Sequence, residues 1–438
     1  MKTLAFLTLV VAITSVALGS AGTAAAARTD DSDISTGGVD GLEGYLAYAA
    51  LNNPELEAAF HRWQASLEKI NQAGVLPDPR LTYTWYIRNV ETRVGPQRHG
   101  IGLSQTLPWF GTRGLRKDAA SHESEALRER YENVKRRIFF SVKRPWFEYY
   151  YLIRAREEAR ESLRYLKSIE STVRSRYTTG GAPYADLLRL QVEIGKLEER
   201  IASLDALVVP VVAELNAAMN RNADSAVTPP GSLPPQPVLP PDEELISRIS
   251  VDNPALLEFE HLIEREGTAA DLARKAFYPD ITMGLTYIET GPAVMPGVGD
   301  SGKDAVLGSV MLSIPLWRDT YRAALRESEL RRKALERSRE AQKNSLVSTL
   351  SRALYNVRDA ERKIDLYDGT LLPVAGQALE VSLKAYESGG VDFDDVLENR
   401  RTLLELELAR CRAEIDRARY FAEIELLAGD LRPETEEN

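Results

Sequence analysis

Hydrophobic and polar positions alternate with a period of two in four short stretches of the chain. Leu81, Tyr83, Trp85 and Ile87 interleave with Thr82, Thr84, Tyr86 and Arg88, and Ile101, Leu103 and Leu107 carry the pattern onto a partner stretch. Further on, Ile281, Met283, Leu285 and Tyr287 interleave with Thr282, Gly284 and Thr286, and Val310, Leu312 and Ile314 with Ser309, Met311 and Ser313. This alternation predicts strands with one apolar face over about 80–90, 99–107, 280–289 and 305–315. Each is close to the roughly 9 to 11 residues that cross a bilayer as a tilted strand. Four strands are too few to close a membrane barrel, and an open sheet edge is forbidden in lipid, so several chains must pool their strands.

The rest of the chain has the 4,3 spacing of coiled-coil seams. Leu346, Leu350, Ala353, Val357, Ala360, Ile364, Tyr367, Leu371, Val374, Ala378, Val381 and Ala385 form one seam. Leu187, Leu190, Ile194, Leu197, Ile201 and Leu204 form a second, and Leu397, Leu404, Leu408, Cys411, Ile415, Ala418 and Ala422 a third. Long helices are predicted over about 112–178, 183–221, 320–387 and 392–429. Those beginning near 112 and 320 would each span on the order of 100 Å at about 1.5 Å per residue. Pro145 and Pro373 fall inside them and predict bends. Cys411 sits in a seam and reads as a buried structural thiol.

The order of strand pair, long helix, turn and long helix occurs twice. Asn53-Pro54 returns as Asn253-Pro254, and Leu107-Pro108-Trp109-Phe110 is answered by Ile314-Pro315-Leu316-Trp317. Most specific is Tyr177-Thr178-Thr179-Gly180-Gly181 through Asp186-Leu187-Leu188 against Tyr386-Glu387-Ser388-Gly389-Gly390 through Asp395-Val396-Leu397. The first repeat therefore covers 41–228 and the second 242–431, separated by a linker at 229–241 too rich in proline for helix or sheet, read as a strap along a continuous body.

Composition narrows the class. A formal net charge of -10 argues against a nucleic-acid partner. Residues 1–27 have a lysine near the start, an apolar core and an alanine-rich end, which describes a secretory signal peptide, and residues 432–438 read as a disordered tail. After the signal no run of about 20 apolar residues is evident, so no transmembrane helix is expected. Cys411 is the single cysteine, which leaves no thiol for amino-terminal lipidation and no intrachain disulfide.

The four histidines, His61, His99, His122 and His261, show no metal-ligand spacing, and no P-loop, Rossmann glycine pattern or nucleophile elbow occurs. The expectation is a chain with no enzymatic activity, metal site or cofactor. Energy for any transport must come from a partner.

The duplicated unit, the twice-present Y-x-x-G-x-x-x-x-x-D turn and the stretch Leu371-Leu372-Pro373-Val374-Ala375-Gly376-Gln377-Ala378-Leu379 resemble the TolC-like outer-membrane factors of Gram-negative bacteria. The resemblance covers about 42–431. It implies a mainly α chain with transmembrane β: antiparallel coiled-coil hairpins, and a homotrimer forming a twelve-stranded barrel in outer-membrane lipid above a twelve-helix periplasmic tunnel. It also implies an efflux conduit fed by a periplasmic adaptor and an inner-membrane pump.

Gly180, Gly181, Gly389 and Gly390 become adaptor-contacting tips, and Asp186, Tyr386, Asp395 and Glu398 the residues of a periplasmic aperture, Tyr386 bonding Asp186. The family's partner arginine two residues beyond the tip glycine is Val391 here. The position matching Glu398 is Arg189 in the first copy, which concentrates pore charge on the second hairpin. Asp186 and Asp395 read equally as first-turn carboxylates stabilising the positive end of a helix. Cargo stays open between metal ions and organic compounds. A type I protein-secretion duct and a soluble periplasmic coiled-coil adaptor or structural protein are the alternatives.

Overall fold

The structure, a computed structural model, describes residues 41–431; the signal peptide and the tail read from the sequence lie outside them. Two short helices open the first copy, α1 (Gly41–Asn52) and α2 (Pro54–Ala73). The strand pair β1 (Arg80–Thr92) and β2 (Gly95–Leu107) follows, then α3 (Thr112–Thr178) and α4 (Tyr184–Ala218). In the second copy the same order gives α5 (Asp242–Asp252), α6 (Pro254–Lys275), β3 (Asp280–Thr290), β4 (Ala305–Ser313), α7 (Arg318–Leu366), α8 (Leu372–Ser388) and α9 (Phe393–Ala428).

The four strands form one antiparallel sheet in the order β1-β2-β3-β4, so the two copies lie side by side. Its register sorts the side chains. Leu81 pairs with Leu103 and Tyr83 with Ile101, while Leu103 also pairs with Leu285 and Met283 with Val310, which gathers the large apolar residues on one face. Thr82, Thr84, Gly100, Gly102, Ser104, Gly284, Thr286 and Ser309 share the other. Space on that second face is tight, since a Cβ on Gly284 would come within 2.6 Å of the Ser309 hydroxyl.

Leu81, Tyr83, Trp85, Leu103, Leu285, Val306 and Val310 are all exposed, with no layer of described residues against them. An apolar sheet face of this extent left bare has lipid as its natural solvent. Among the described residues the outer edges of β1 and β4 carry no partner strand.

The repeated Asn-Pro has one structural meaning in both copies. Asn53 Oδ1 accepts hydrogen bonds from the Glu55 and Leu56 amides and so caps α2, while its Nδ2 donates to the Ala218 carbonyl at the end of α4, at 2.9 Å. Asn253 caps α6 through the Ala255 amide and donates to the Leu427 carbonyl in α9, at 2.7 Å. Each asparagine thus serves as an N-cap and as a tether across the length of its repeat.

The linker carries neither helix nor strand: Leu239 packs on the apolar cluster of α5, α7 and α9, and the Thr228 amide donates to the Tyr45 hydroxyl.

The predicted helix over 320–387 is corrected in one respect. It is interrupted by a π-helical turn, Tyr367–Leu371. Leu350, Ala353, Val357 and Ala360 are buried as the heptad requires, but beyond the turn the buried positions become Ala375, Leu379, Ser382 and Tyr386. The π turn takes up one additional residue, so the seam advances by one. Val374 and Val381, expected inside, are 58% and 67% exposed.

One of the long helices is more apolar than the others. α4 (Tyr184–Ala218) is long and apolar enough by length and composition to cross a bilayer. Asp205, Pro210 and Glu214 break its continuity in the sequence, which is why no unbroken run is visible. Leu188, Val192, Leu207 and Val209 lie exposed along it.

Candidate functional site

Both helical hairpins reverse through the same backbone device. Gly180 has φ 77° and Gly389 φ 82°, the left-handed region that side-chain-bearing residues avoid. The Gly181 amide donates to the Arg176 carbonyl and the Gly180 amide to the Tyr177 carbonyl; the Gly390 and Gly389 amides repeat this onto the Ala385 and Tyr386 carbonyls. These paired bonds make a Schellman motif at each helix end. The next helices start on extended residues, Pro183 and Asp392, and place Asp186 and Asp395 in the first turn.

From there the copies diverge. Asp186 is only 4% exposed and Tyr386 only 3%. The Tyr386 hydroxyl donates to Asp186 Oδ2 at 3.4 Å, joining hairpins two hundred residues apart in sequence. Burial pushes the Asp186 carboxyl above its ordinary range, with the Tyr386 hydrogen bond and the Arg189 charge pulling the other way. Tyr386 is held between the Phe393 ring, 5.1 Å away, and the Arg176 guanidinium, 4.5 Å above its face. Arg176 Nη2 also donates to the Gly181 carbonyl and so stitches the first turn to the second hairpin.

Asp395 and Glu398, by contrast, are exposed. Glu398 faces Arg401 at 3.4 Å. Arg401 in turn reaches Glu193 on α4 at 2.6 Å. Arg189 bridges Asp394 at 3.4 Å and Asp186 at 3.9 Å. The charge on the second hairpin is thus partly answered by Arg401. Arg176, Arg189, Glu193, Asp394 and Arg401 were not singled out as a site by sequence reasoning. A signal existed for Arg176, which precedes the repeated tyrosine where the second copy has Ala385.

Among the described residues no group of three or more His, Cys, Asp or Glu could hold a metal ion. Cys411 is buried as a seam thiol, and burial pushes it up to about 12.

A sheet with a bare apolar face, continued by helices far longer than a globular domain needs, defines a channel-forming outer-membrane protein. The chain belongs to the family described as outer membrane efflux protein, which its sequence matches over residues 46–221 and 245–430. No curated protein matches it.

Among solved structures it is similar to CusC, at 18% identity and TM-score 0.73, over 89% of this chain and 92% of the other. A membrane protein from Pseudomonas aeruginosa aligns at 19% identity and TM-score 0.73, over 89% and 93%. The outer membrane protein VceC from Vibrio cholerae aligns at 16% identity and TM-score 0.72, over 89% and 97%. At such identities these likenesses speak for the fold. Family membership places the protein in the outer membrane with its helical body in the periplasm, and members of the family are channels.

Proposed function

We propose that three copies of this chain assemble into a passive export conduit for small molecules or metal ions across the periplasm and outer membrane. Each contributes four strands to a closed barrel and two hairpins to a tunnel. The single observation that carries this reading is the four-stranded sheet with two open edges and an exposed apolar face. Such a sheet is stable in lipid only when further copies close it. Exposed Leu188 and Val192 on α4, and Val374 and Val381 on α8, supply apolar helix surface for the same neighbours to cover. The glycine turns are the contact points for a periplasmic adaptor, which couples the conduit to an inner-membrane pump.

In this assembly Asp186, Tyr386, Asp395 and Glu398 form the periplasmic aperture. Asp186 and Tyr386 hold the two hairpins of a chain together, whereas exposed Asp395 and Glu398 offer repeated carboxylates near the axis, a cation-sensitive ring. The test is the double substitution D395N/E398Q in planar bilayers. Divalent-cation block is expected to weaken by about tenfold in concentration, of the order for losing a ring of like charges; unchanged block overturns the aperture assignment.

A further inference from the structure

A cavity of about 230 Å³ lies between α3, α8 and α9, away from the tips. Leu372, the first residue after the π turn, lines it, as do Glu407, Cys411 and Glu158. Glu407 Oε2 is buried there without a hydrogen-bond partner. Its one ion-pair neighbour, Arg400 Nη2, stands 3.6 Å away. Arg400 cannot simply swing in. It is itself buried, donates from Nε to the Ser162 hydroxyl at 2.9 Å and lies 5.4 Å over the Tyr165 ring.

One turn along α9, Arg410 lines the same cavity and reaches in two directions. It bonds Asp368 inside the π turn at 2.5 Å and Glu414 on its own helix. Cavity and π turn are therefore mechanically joined: a shift of α9 relative to α3 pulls on the turn that sets the register of α8.

We propose that Glu407 is a proton-operated latch in the tunnel wall, which clamps α9 to α3 beside the π turn when neutral and loosens that contact when ionised. The chemistry follows from the groups around it. α3 presents Glu158, Glu161 and Arg154; α9 itself presents Arg400, Arg410, Glu414 and the Cys411 thiol; the π turn presents Asp368 through Arg410. A neutral carboxylic acid can donate a hydrogen bond within this cavity, whereas a carboxylate can only accept and is repelled by the two α3 glutamates.

Burial pushes the Glu407 carboxyl up to about 7, with Glu158 and Glu161 adding to the rise and Arg400 opposing it. A folded-state value raised above the unfolded one contributes stability that is complete in acid and is lost as pH rises through the folded value. The latch is thus tightest in acid, loosens progressively up to about pH 7 and is no looser above it. It goes beyond the conduit reading and depends on it only for the consequence that the hairpin carrying Asp395 and Glu398 gains freedom as pH rises toward neutrality.

Cys411 is the single cysteine and lines the cavity, so it reports opening directly. The experiment compares alkylation of Cys411 by iodoacetamide in the full-length wild-type protein and in Glu407→Gln, a permanently neutral side chain. Taking the ratio of the two rates at each pH cancels the thiol's own titration. The wild-type to variant ratio is expected to be lowest at about pH 5, to rise at least tenfold by about pH 7, and to level off above the folded value.

A ratio independent of pH overturns the latch. Should the variant misfold, Glu161→Gln gives a second reading: it removes a carboxylate that raises Glu407 without being among the charges that raise Cys411, and is expected to move the transition in alkylation to lower pH; an unmoved transition overturns the proposal. Neither readout involves conduction, so a failed latch and a failed conduit are told apart.

Discussion

At the scale of single residues, positions equivalent in the two copies have been given different work. Asp186 and Asp395 occupy the same place in the first turn of their helices, yet one is buried under Tyr386 and the other exposed. Because burial raises the Asp186 carboxyl, the folded chain binds this proton more tightly than the unfolded chain does. The resulting stability is present below the ordinary carboxylate range and is lost as pH rises through the raised value. The melting temperature of wild type relative to D186N is therefore expected to fall across that interval, and a relative rise contradicts the assignment.

Asn253 makes a contrasting case, in which the two copies agree. Replacing it with alanine removes an N-cap and a buried tether together, and is expected to cost about 2 kcal/mol, read as a lowered denaturation midpoint; N53A should behave alike. The Asn-Pro pair was legible in the sequence as a repeat marker. Its partners at Ala218 and Leu427 were not, because a bond spanning most of a repeat leaves no local pattern. The same holds for Arg189 with Asp394 and Glu193 with Arg401.

At the scale of elements, the strands and glycine turns were readable because each rests on a local rule: alternation for the sheet, positive φ for the reversal. The π turn was not readable. Tyr367-Asp368-Gly369-Thr370-Leu371 fits the heptad as well as any α-helical segment, and the apolar pattern runs through it to Val374 and Val381. The heptad pattern alone turns Ala385 inward; packing shows the register moved and buries Tyr386, the side chain that the family resemblance had already paired with Asp186. Deleting Gly369 should restore ordinary helix and turn every later residue of α8 by about 100°. The prediction is that Tyr386 leaves Asp186 and the assembled protein no longer survives mild SDS electrophoresis. Reinserting one residue between 372 and 378 should rescue it. Survival of the deletion alone would mean the π turn is not what sets the seam.

At the scale of the whole molecule, the sheet and the helices ask for the same thing. The sheet has edges that lipid does not tolerate, and α4 and α8 have exposed apolar residues that none of the described residues covers. Duplication supplies each chain with two strand pairs and two hairpins, and in the proposed assembly further copies would close both layers at once. Stepwise ionic current from the purified full-length protein in a planar bilayer tests this most directly. The account predicts discrete, long-lived conductance steps of one dominant size, as a closed barrel of fixed copy number requires; a protein that stays soluble without detergent and gives no current would contradict it.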